Sequence, residues 1–448
     1  MLGGSATMPA TDGSELARKQ NMVVVTVQYR LGTFGFLKLD EASIHGNYGL
    51  KDIVKALEFV QEEIGAFGGD ASRVLLAGHS SGAELIKSLM MAPSTSSLFH
   101  RVALHSPPLD LPAMTPTEGN AIGSLVAQAL GCEPGNGALQ ACVFRKSTAD
   151  LIAVTAALLS PSSSSYAGQV IGFPRAIEPL RPVVDGQLIS ADFADAVATG
   201  SVSNAKPAIF SFTHDEACPT IYSLCVSISL RRVRSADAVA RSAPAPVSED
   251  YFPAYVYQLV GSSRAQAVLA SGLYAPDGTA DSTRASLIDL GTDLIWRCVA
   301  TQSAYNLSSS VDVYMAEFDS GITWDLNDGA ASLCEDRVSH GDDLYALFGR
   351  SSSSADFGET FERDIPLSQL IRKEVQARWA AFARGGSPNS PDFAEQWTTV
   401  DGELSLLQLG DTSGRPQATG QMQANKHAQA CGLTTGLWGN IVPFDSST

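Results

Sequence analysis

The sequence lacks long hydrophobic runs and is poor in basic residues. No apolar stretch in its 448 residues reaches the roughly 18 residues that a membrane-spanning helix needs. It has 30 Lys and Arg residues against 47 Asp and Glu residues, which gives a formal net charge of −17. Because nucleic acids and anionic membrane surfaces repel an acidic protein, we expect neither as a partner. The sequence predicts a soluble protein without a transmembrane segment.

Cysteine is also sparse, with 7 residues, and their spacing is not that of a zinc site. The sequence therefore predicts no metal. Cys132 and Cys142 bracket a Gly-, Pro- and Asn-rich segment that suits a short closed loop. Asn306 begins Asn-Leu-Ser, an acceptor sequence for N-glycosylation. Both features favour an oxidising, extracytoplasmic setting, and we expect the protein to be secreted.

The N-terminus has neither the basic segment nor the apolar segment that begins a secretory signal peptide, since it reads MLGGSATMPA. The sequence also shows no internal repeat and no clear linker. A chain of 47.1 kDa with 44% hydrophobic residues can bury a large core. We expect residues 1–448 to form one domain.

Short apolar runs alternate with segments of helical periodicity. Strands are predicted at 21–30, 74–77, 101–106, 206–212 and 311–318, and helices at 51–64, 83–91 and 367–384. The first strand, NMVVVTVQYR, is apolar enough to be buried on both faces of a sheet. Alternation of this kind favours an α/β protein whose parallel sheet has helices on both faces.

A G-x-S-x-G pentapeptide at residues 78–82 stands between the strand at 74–77 and the helix at 83–91. In a nucleophile elbow the serine occupies a sharp turn between a strand and a helix, where its hydroxyl is exposed. Glycines two residues before and after the serine allow the neighbouring backbone to approach closely. The pattern predicts Ser80 as a nucleophile, and the backbone N–H of Ser81 as an oxyanion donor.

A serine nucleophile needs a base, and the base needs an acid that fixes its tautomer. In folds with such an elbow the acid and then the histidine follow the serine along the chain. His340 follows the strand at 311–318 and is the candidate base. Asp215 and Glu216 both follow the strand at 206–212, and adjacent side chains there point in opposite directions. The residues themselves do not choose between these two acids.

Six sequence segments, spread over most of the chain, together match the motifs of one protein family. They are VVVTVQYRLGTFGFL, GNYGLKDIVKALEFV, FGGDASRVLLAGHSSGAELIKSLMMAP, HDEA, CEDRVSHGDDLYALFG and WAAFARGGSPN. Together they resemble the type-B carboxylesterase/lipase family, the cholinesterase-like branch of the α/β-hydrolase fold. The resemblance implies that fold, with a mostly parallel central sheet, and a serine hydrolase that cleaves carboxylic esters.

The resemblance also assigns residues. The family nucleophile matches Ser80, the glutamate of its Asp-Glu-Gly motif matches Glu216, and its base matches His340. It implies disulfides between Cys132 and Cys142 and between Cys298 and Cys431. No metal or organic cofactor is implied.

The sequence departs from the family pattern at the elbow and at its beginning. The family elbow is Gly-Glu-Ser-Ala-Gly, whereas His79 and Ser81 stand here, although Ser81 keeps its backbone N–H. Residues 1–6 align just after the family's His-Gly-Gly-Gly oxyanion segment, so we expect an N-terminally incomplete chain without its first strands. One lost oxyanion donor costs about 10²- to 10³-fold in rate, so weak activity is expected unless Gly3 and Gly4 substitute.

Two functions remain open from the sequence. The first is hydrolysis of a small-molecule or lipid ester through an acyl-enzyme, and it is favoured because all three triad residues are present. The alternative is a catalytically silent relative that acts as a binding or scaffold protein. The sequence leaves the ester, the oligomeric state and the pairing of Cys218, Cys225 and Cys334 open.

Overall fold

The computed structural model describes residues 4–108, 112–133, 138–159, 178–222, 247–319, 334, 337–349, 366–391, 393, 395–410, 420–423, 427–433 and 437–438. The strands are β1 (Lys38–Leu39), β2 (Ile44–His45), β3 (Leu75–His79), β4 (Arg101–His105), β5 (Ala208–Thr213), β6 (Val313–Phe318), β7 (Leu406–Leu409) and β8 (Gln421–Gln423). The α-helices are Ser14–Gln20, Gly32–Phe36, Tyr48–Glu63, Ser81–Met90, Pro116–Ala129, Leu139–Phe144, Thr148–Leu159, Phe193–Ala198, Phe252–Val260, Ser262–Ser271, Ser282–Thr292, Cys298–Ser308, Asp342–Phe348, Pro366–Gly385 and Ala428–Cys431. A π-helical segment, Asp293–Arg297, joins two of these helices.

A sheet of six strands in the order β3-β4-β5-β6-β7-β8 forms the centre of the protein. Strands β3 to β7 are parallel to one another, and β8 is antiparallel to β7. Strands β1 and β2 form a separate antiparallel pair. Parallel neighbours must be joined by crossover connections, which here contain helices. The mostly parallel sheet predicted from the sequence is therefore present.

The two faces of this sheet are buried in different apolar clusters. In β5, the side chains of Ala208, Phe210 and Phe212 enter one cluster, and that of Ile209 enters the other. Successive side chains of a strand point to opposite faces, so both faces of β5 are covered. The helix Ser81–Met90 packs in the first cluster and the helix Pro366–Gly385 in the second. Helices on both faces explain why the strands read as continuous apolar runs.

Residues 22–30 differ from the predicted strand at 21–30. Within the described part of the chain they pair with no other strand, and Val23 and Val25 are 41% and 45% exposed. Side chains hold the segment instead: Arg30 donates from Nε and Nη2 to the two carboxylate oxygens of Asp52, each at 2.8 Å. A β-branched run favours extended backbone, but a ladder also needs a partner strand, which the run itself does not specify.

The topology determines where candidate site residues meet. The carboxyl ends of β3, β4, β5 and β6 lie side by side at one edge of the sheet. Ser80 directly follows β3 and Glu216 lies just beyond β5, while His340 precedes the helix Asp342–Phe348. Ligands of open α/β sheets bind at this edge. Among the described helices, none combines the length and the apolar character needed to cross a membrane.

Candidate active site

Ser80 occupies the turn between β3 and the helix Ser81–Met90. Its backbone has φ 56° and ψ −123°, a conformation that non-glycine residues rarely adopt. The N–H of Ser80 donates to the carbonyl of His105 at 2.8 Å, and its own carbonyl accepts from Ala83 at 2.9 Å. Such strain costs about 1–3 kcal/mol and persists only where the surroundings impose it. The serine has the backbone of a nucleophile elbow.

Gly78 makes this sharp turn sterically possible. A Cβ at Gly78 would lie 2.6 Å from the carbonyl carbon and oxygen of Gly82, far inside van der Waals contact. A Cβ at Gly82 would meet no atom within 4 Å. Gly78 must therefore be glycine, because the backbone of Gly82 occupies the place of its Cβ. Gly82 has room for a Cβ, so steric crowding does not require glycine there.

Glu216 and His340 are joined directly, although 124 residues separate them. Nδ1 of His340 lies 2.5 Å from Oε2 of Glu216. The other carboxylate oxygen, Oε1, accepts a hydrogen bond of 2.8 Å from the N–H of Thr213. Glu216 is fully buried, and the His340 side chain is 25% exposed. Because Nδ1 faces the carboxylate, Nε2 is the nitrogen left to act on a substrate or nucleophile.

Asp215, the other candidate acid from the sequence, contacts residues other than His340. Its Oδ1 accepts from Nη1 of Arg337 at 2.8 Å, and its Oδ2 accepts from the N–H of Val338 at 3.2 Å. His214 also lies against Oδ2, at 3.1 Å from Nδ1. The structure thus directs Glu216 to the imidazole, and Asp215 to the segment that precedes His340.

The pKa of His340 is raised above its ordinary value. Burial lowers the pKa of an imidazole because it disfavours the charged form. Burial is the largest single influence on the pKa of His340, but the charge and hydrogen bond of Glu216, together with the carboxylates of Asp343 and Asp342, outweigh it. These charges stabilise the imidazolium that forms when His340 accepts a proton.

His340 reaches the elbow beside Ser80 through ring contacts. Its ring centroid lies 4.6 Å from that of His79, the residue before the serine, and 5.3 Å from that of Trp296. Among the described residues, no hydrogen bond from Oγ of Ser80 to His340 is present. In enzymes without bound substrate such contacts are often long and tighten only in the complex.

His79 is a neutral neighbour of the candidate base. Its Nε2 lies 3.6 Å from Oδ1 of Asp343, a carboxylate with no exposed surface. Burial lowers the pKa of His79 to about 3, against the opposing effect of Asp343. The elbow therefore places an uncharged ring next to His340, and not a second positive charge that would oppose its protonation.

His105, at the end of β4, approaches Asp343 from the other side. Its Nδ1 lies 3.3 Å from Oδ2 of Asp343 and 2.8 Å from Oγ of Ser211. Nε1 of Trp379 donates to Nε2 of His105 at 3.1 Å. A neutral imidazole has one donor and one acceptor nitrogen, so Nδ1 carries the proton towards Asp343 and Ser211. Sequence reasoning missed Asp343, because its neighbours His79 and His105 come from other elements, β3 and β4.

Ser81 begins the helix Ser81–Met90, so its amide lies at the N-terminal end of a helix. The helix dipole favours negative charge at that end. This position is compatible with the oxyanion role that the sequence predicts for the N–H of Ser81.

The described residues contain disulfides Cys132–Cys142, Cys218–Cys334 and Cys298–Cys431. The first and third are the pairs that the family resemblance implied. The second was not predicted, because bonding requires the two Cα atoms to lie within about 7 Å, which a sequence does not give. Cys225 lies outside the described residues.

The described part of the chain contains two clusters of side chains whose possible metal-ligand atoms lie close to one another. They are Asp293 with Cys298 and Cys431, and His214 with Glu317 and Asp319. Cys298 and Cys431 are joined in a disulfide, so they offer no thiolate. Glu317 already faces Nη2 of Arg297 at 3.4 Å and Nε2 of His427 at 2.9 Å. The first cluster therefore contains a disulfide, and the second contains a carboxylate that is already ion-paired.

Asn306, the predicted glycosylation residue, lies in the last turns of the helix Cys298–Ser308. Its side chain is half-buried, and Oδ1 accepts from Nε2 of Gln302 at 3.1 Å.

Comparison with known proteins identifies related enzymes. The chain is similar to liver carboxylesterase of Sus scrofa, with 28% identity over 420 residues, covering 92% of this chain and 68% of that protein. It is 27% identical over 422 residues to liver carboxylesterase 1 of Oryctolagus cuniculus, covering 93% and 69% of the two chains.

A solved carboxylesterase of Geobacillus stearothermophilus superposes with a TM-score of 0.71 at 22% identity, covering 95% of this chain and 78% of that one. At this identity the likeness establishes the fold alone, and it confirms the predicted α/β-hydrolase fold. The family model described as "Carboxylesterase family" matches residues 1–432. Because that match extends over most of the sequence, the chain belongs to the carboxylesterase family, whose members are carboxylic ester hydrolases.

Proposed function

We propose that this chain cleaves carboxylic esters through a triad of Ser80, His340 and Glu216. The observation that carries the proposal is the 2.5 Å contact between Nδ1 of His340 and Oε2 of Glu216, beside an elbow serine. A serine hydroxyl is a weak nucleophile until a base takes its proton. The raised pKa of His340 favours that transfer, because the carboxylates around it stabilise the imidazolium.

In the acylation step, Oγ of Ser80 attacks the ester carbonyl while Nε2 of His340 takes the hydroxyl proton. The carbonyl oxygen becomes an oxyanion, to which the N–H of Ser81 donates. When the tetrahedral intermediate collapses, His340 gives the proton to the leaving alcohol and the acyl group remains on Ser80. Glu216 stays against Nδ1 of the imidazole throughout and so keeps the ring oriented with Nε2 towards the reacting atoms.

In the deacylation step, water attacks the acyl-enzyme with His340 again as the base. The acid is released and Ser80 recovers its proton. This chemistry needs no metal or organic cofactor. From the family we infer that the substrates are small-molecule carboxylic esters. A lipid ester would be cleaved by the same acyl transfer to Ser80.

The disulfides support an oxidising compartment, since such bonds form and persist in secreted and lumenal proteins. We therefore infer export from the cytosol, with a glycan on Asn306. Protein from a eukaryotic secretory host should lose mass on treatment with peptide N-glycosidase, and an Asn306→Gln variant should not. If both proteins have the same mass before and after treatment, Asn306 is not glycosylated.

Covalent labelling tests the nucleophile. A fluorophosphonate probe should label the folded protein at Ser80, because the probe reacts only with a serine whose hydroxyl is activated. Ser80→Ala should abolish labelling and lower kcat by about 10⁶-fold, as loss of such a nucleophile does elsewhere. Ser72→Ala, which changes an exposed loop serine, is the matched control and should behave as wild type. Folded protein that neither reacts with the probe nor cleaves esters would support the binding or scaffold alternative.

The pH dependence of kcat/KM tests the base. Activity should fall as pH drops through the pKa of His340, with a midpoint above the ordinary imidazole value of about 6.5, because the base must be neutral to act. Glu216→Gln removes the largest opposing charge, so the midpoint should move to lower pH, and kcat should fall by about 10⁴-fold. His79 stays neutral over this range and contributes no second titration.

Asp70→Asn is the control for this profile, because it removes an exposed carboxylate bonded to Ser72 and Arg73. Its midpoint should equal that of wild type. An unchanged midpoint in Glu216→Gln would contradict the role given to Glu216.

A further inference from the structure

The Cys218–Cys334 disulfide lies next to both partners of the acid–base pair. Cys218 is two residues after Glu216, and Cys334 is six residues before His340. The bond closes a sequence separation of 116 residues between the two segments. We propose that this disulfide is a positioning element of the active site, which holds the segment carrying Glu216 against the segment carrying His340. The inference rests on the function proposed above.

Polar contacts between the disulfide and the Glu216–His340 pair complete a ladder that joins residues 215–218 to Cys334 and residues 337–340. The N–H of Asp215 donates to the carbonyl of Val338 at 2.8 Å, and the N–H of Val338 donates back to Oδ2 of Asp215 at 3.2 Å. Arg337 adds the ion pair to Oδ1 of Asp215 at 2.8 Å. The disulfide is the covalent end of this ladder, and the Glu216–His340 contact is its other end.

The ladder is needed because regular structure does not hold the two ends. Glu216 and His340 both lie in turns, outside the helices and strands around them. Catalytic geometry tolerates little displacement, and a shift of about 1 Å can cost about 10²-fold in rate. A contact across two turns needs such a support if it is to stay aligned.

The disulfide also belongs to the packing around the imidazole. Cys218 and Cys334 are 0% and 2% exposed, and both lie in the apolar cluster that contains Trp296. The Trp296 ring is the one that contacts His340 at 5.3 Å between centroids. Removing the covalent bond therefore loosens both the acid segment and the wall behind the base.

The Cys132–Cys142 disulfide provides a matched control. It spans a separation of 10 residues, and its cysteines contact a different apolar cluster, which does not contain Trp296. A double alanine variant of either pair removes one disulfide without leaving an unpaired thiol from that pair. Of these two pairs, Cys218–Cys334 is the one whose cysteines lie close in sequence to Glu216 and His340.

The experiment compares Cys218→Ala/Cys334→Ala with Cys132→Ala/Cys142→Ala on a p-nitrophenyl ester, with active-site titration to count competent molecules. The first variant should lose about 10²-fold in kcat with KM unchanged, because alignment and not substrate binding is lost. Its kcat/KM midpoint should also move to lower pH, since Glu216 then holds His340 less firmly while Asp342, Asp343 and neutral His79 stay in place. The control variant, Cys132→Ala/Cys142→Ala, should keep the wild-type kcat and the wild-type pH midpoint.

Arg337→Ala gives a second reading if the double variant does not fold. Its side chain is 31% exposed, and its removal breaks the ion pair of the ladder but leaves the disulfide intact. The midpoint should again move to lower pH, by less than in the double variant. Wild-type kcat and midpoint in every folded ladder variant would overturn the inference. If wild-type protein itself shows no Ser80-dependent hydrolysis, the proposed function fails and the inference fails with it.

Discussion

The contact between the Glu216 carboxylate and the His340 imidazole is the interaction on which the proposed active site depends. Burying an ionised carboxylate costs several kcal/mol unless hydrogen bonds and an opposite charge compensate it. Here one oxygen accepts from the N–H of Thr213 and the other faces Nδ1 of His340. The same contact fixes the tautomer of the histidine and raises its pKa. Structure and proposed chemistry therefore follow from one hydrogen-bonded pair.

The parallel sheet makes that contact possible. Because β3, β4, β5 and β6 run in the same direction, the segments after them emerge at one edge, and residues far apart in sequence meet there. β3 delivers Ser80 in a strained turn and β5 delivers the segment of Glu216. The segment before the helix Asp342–Phe348 then brings His340 to them, where polar contacts and a disulfide hold it against residues 215–218.

A second set of charged and polar groups lies beneath the acid–base pair. Asp343 is fully buried between His79 and His105, and Trp379 fixes the proton of His105 on the side of Asp343. The negative charge of Asp343 adds to that of Glu216 in raising the pKa of His340. His79 lies beside this carboxylate at the elbow and stays neutral, so it adds no positive charge next to His340.

Sequence reasoning predicted the parts of this site that depend on local pattern or on order along the chain. The elbow at Ser80, the helix at Tyr48–Glu63 and the strands from β3 to β6 have strong periodic or turn signals. The choice of Glu216 over Asp215 needed the family resemblance, because adjacent residues in a turn carry no signal of which one faces inward.

Features that depend on three-dimensional neighbours were missed. The strand predicted at 21–30 found no partner in the described residues. The Cys218–Cys334 disulfide and the buried place of Asp343 arise only when the segments after β5 and before the helix Asp342–Phe348 come together.

Proton NMR of ¹⁵N-histidine-labelled protein measures the central contact directly. A proton held between Nδ1 of His340 and the Glu216 carboxylate should give a strongly downfield N–H resonance that is protected from solvent exchange. That resonance should be present in wild type and absent in Glu216→Gln, with the other histidine signals unchanged. Folded wild-type protein without such a resonance, or a Glu216→Gln variant that retains it, would contradict the account.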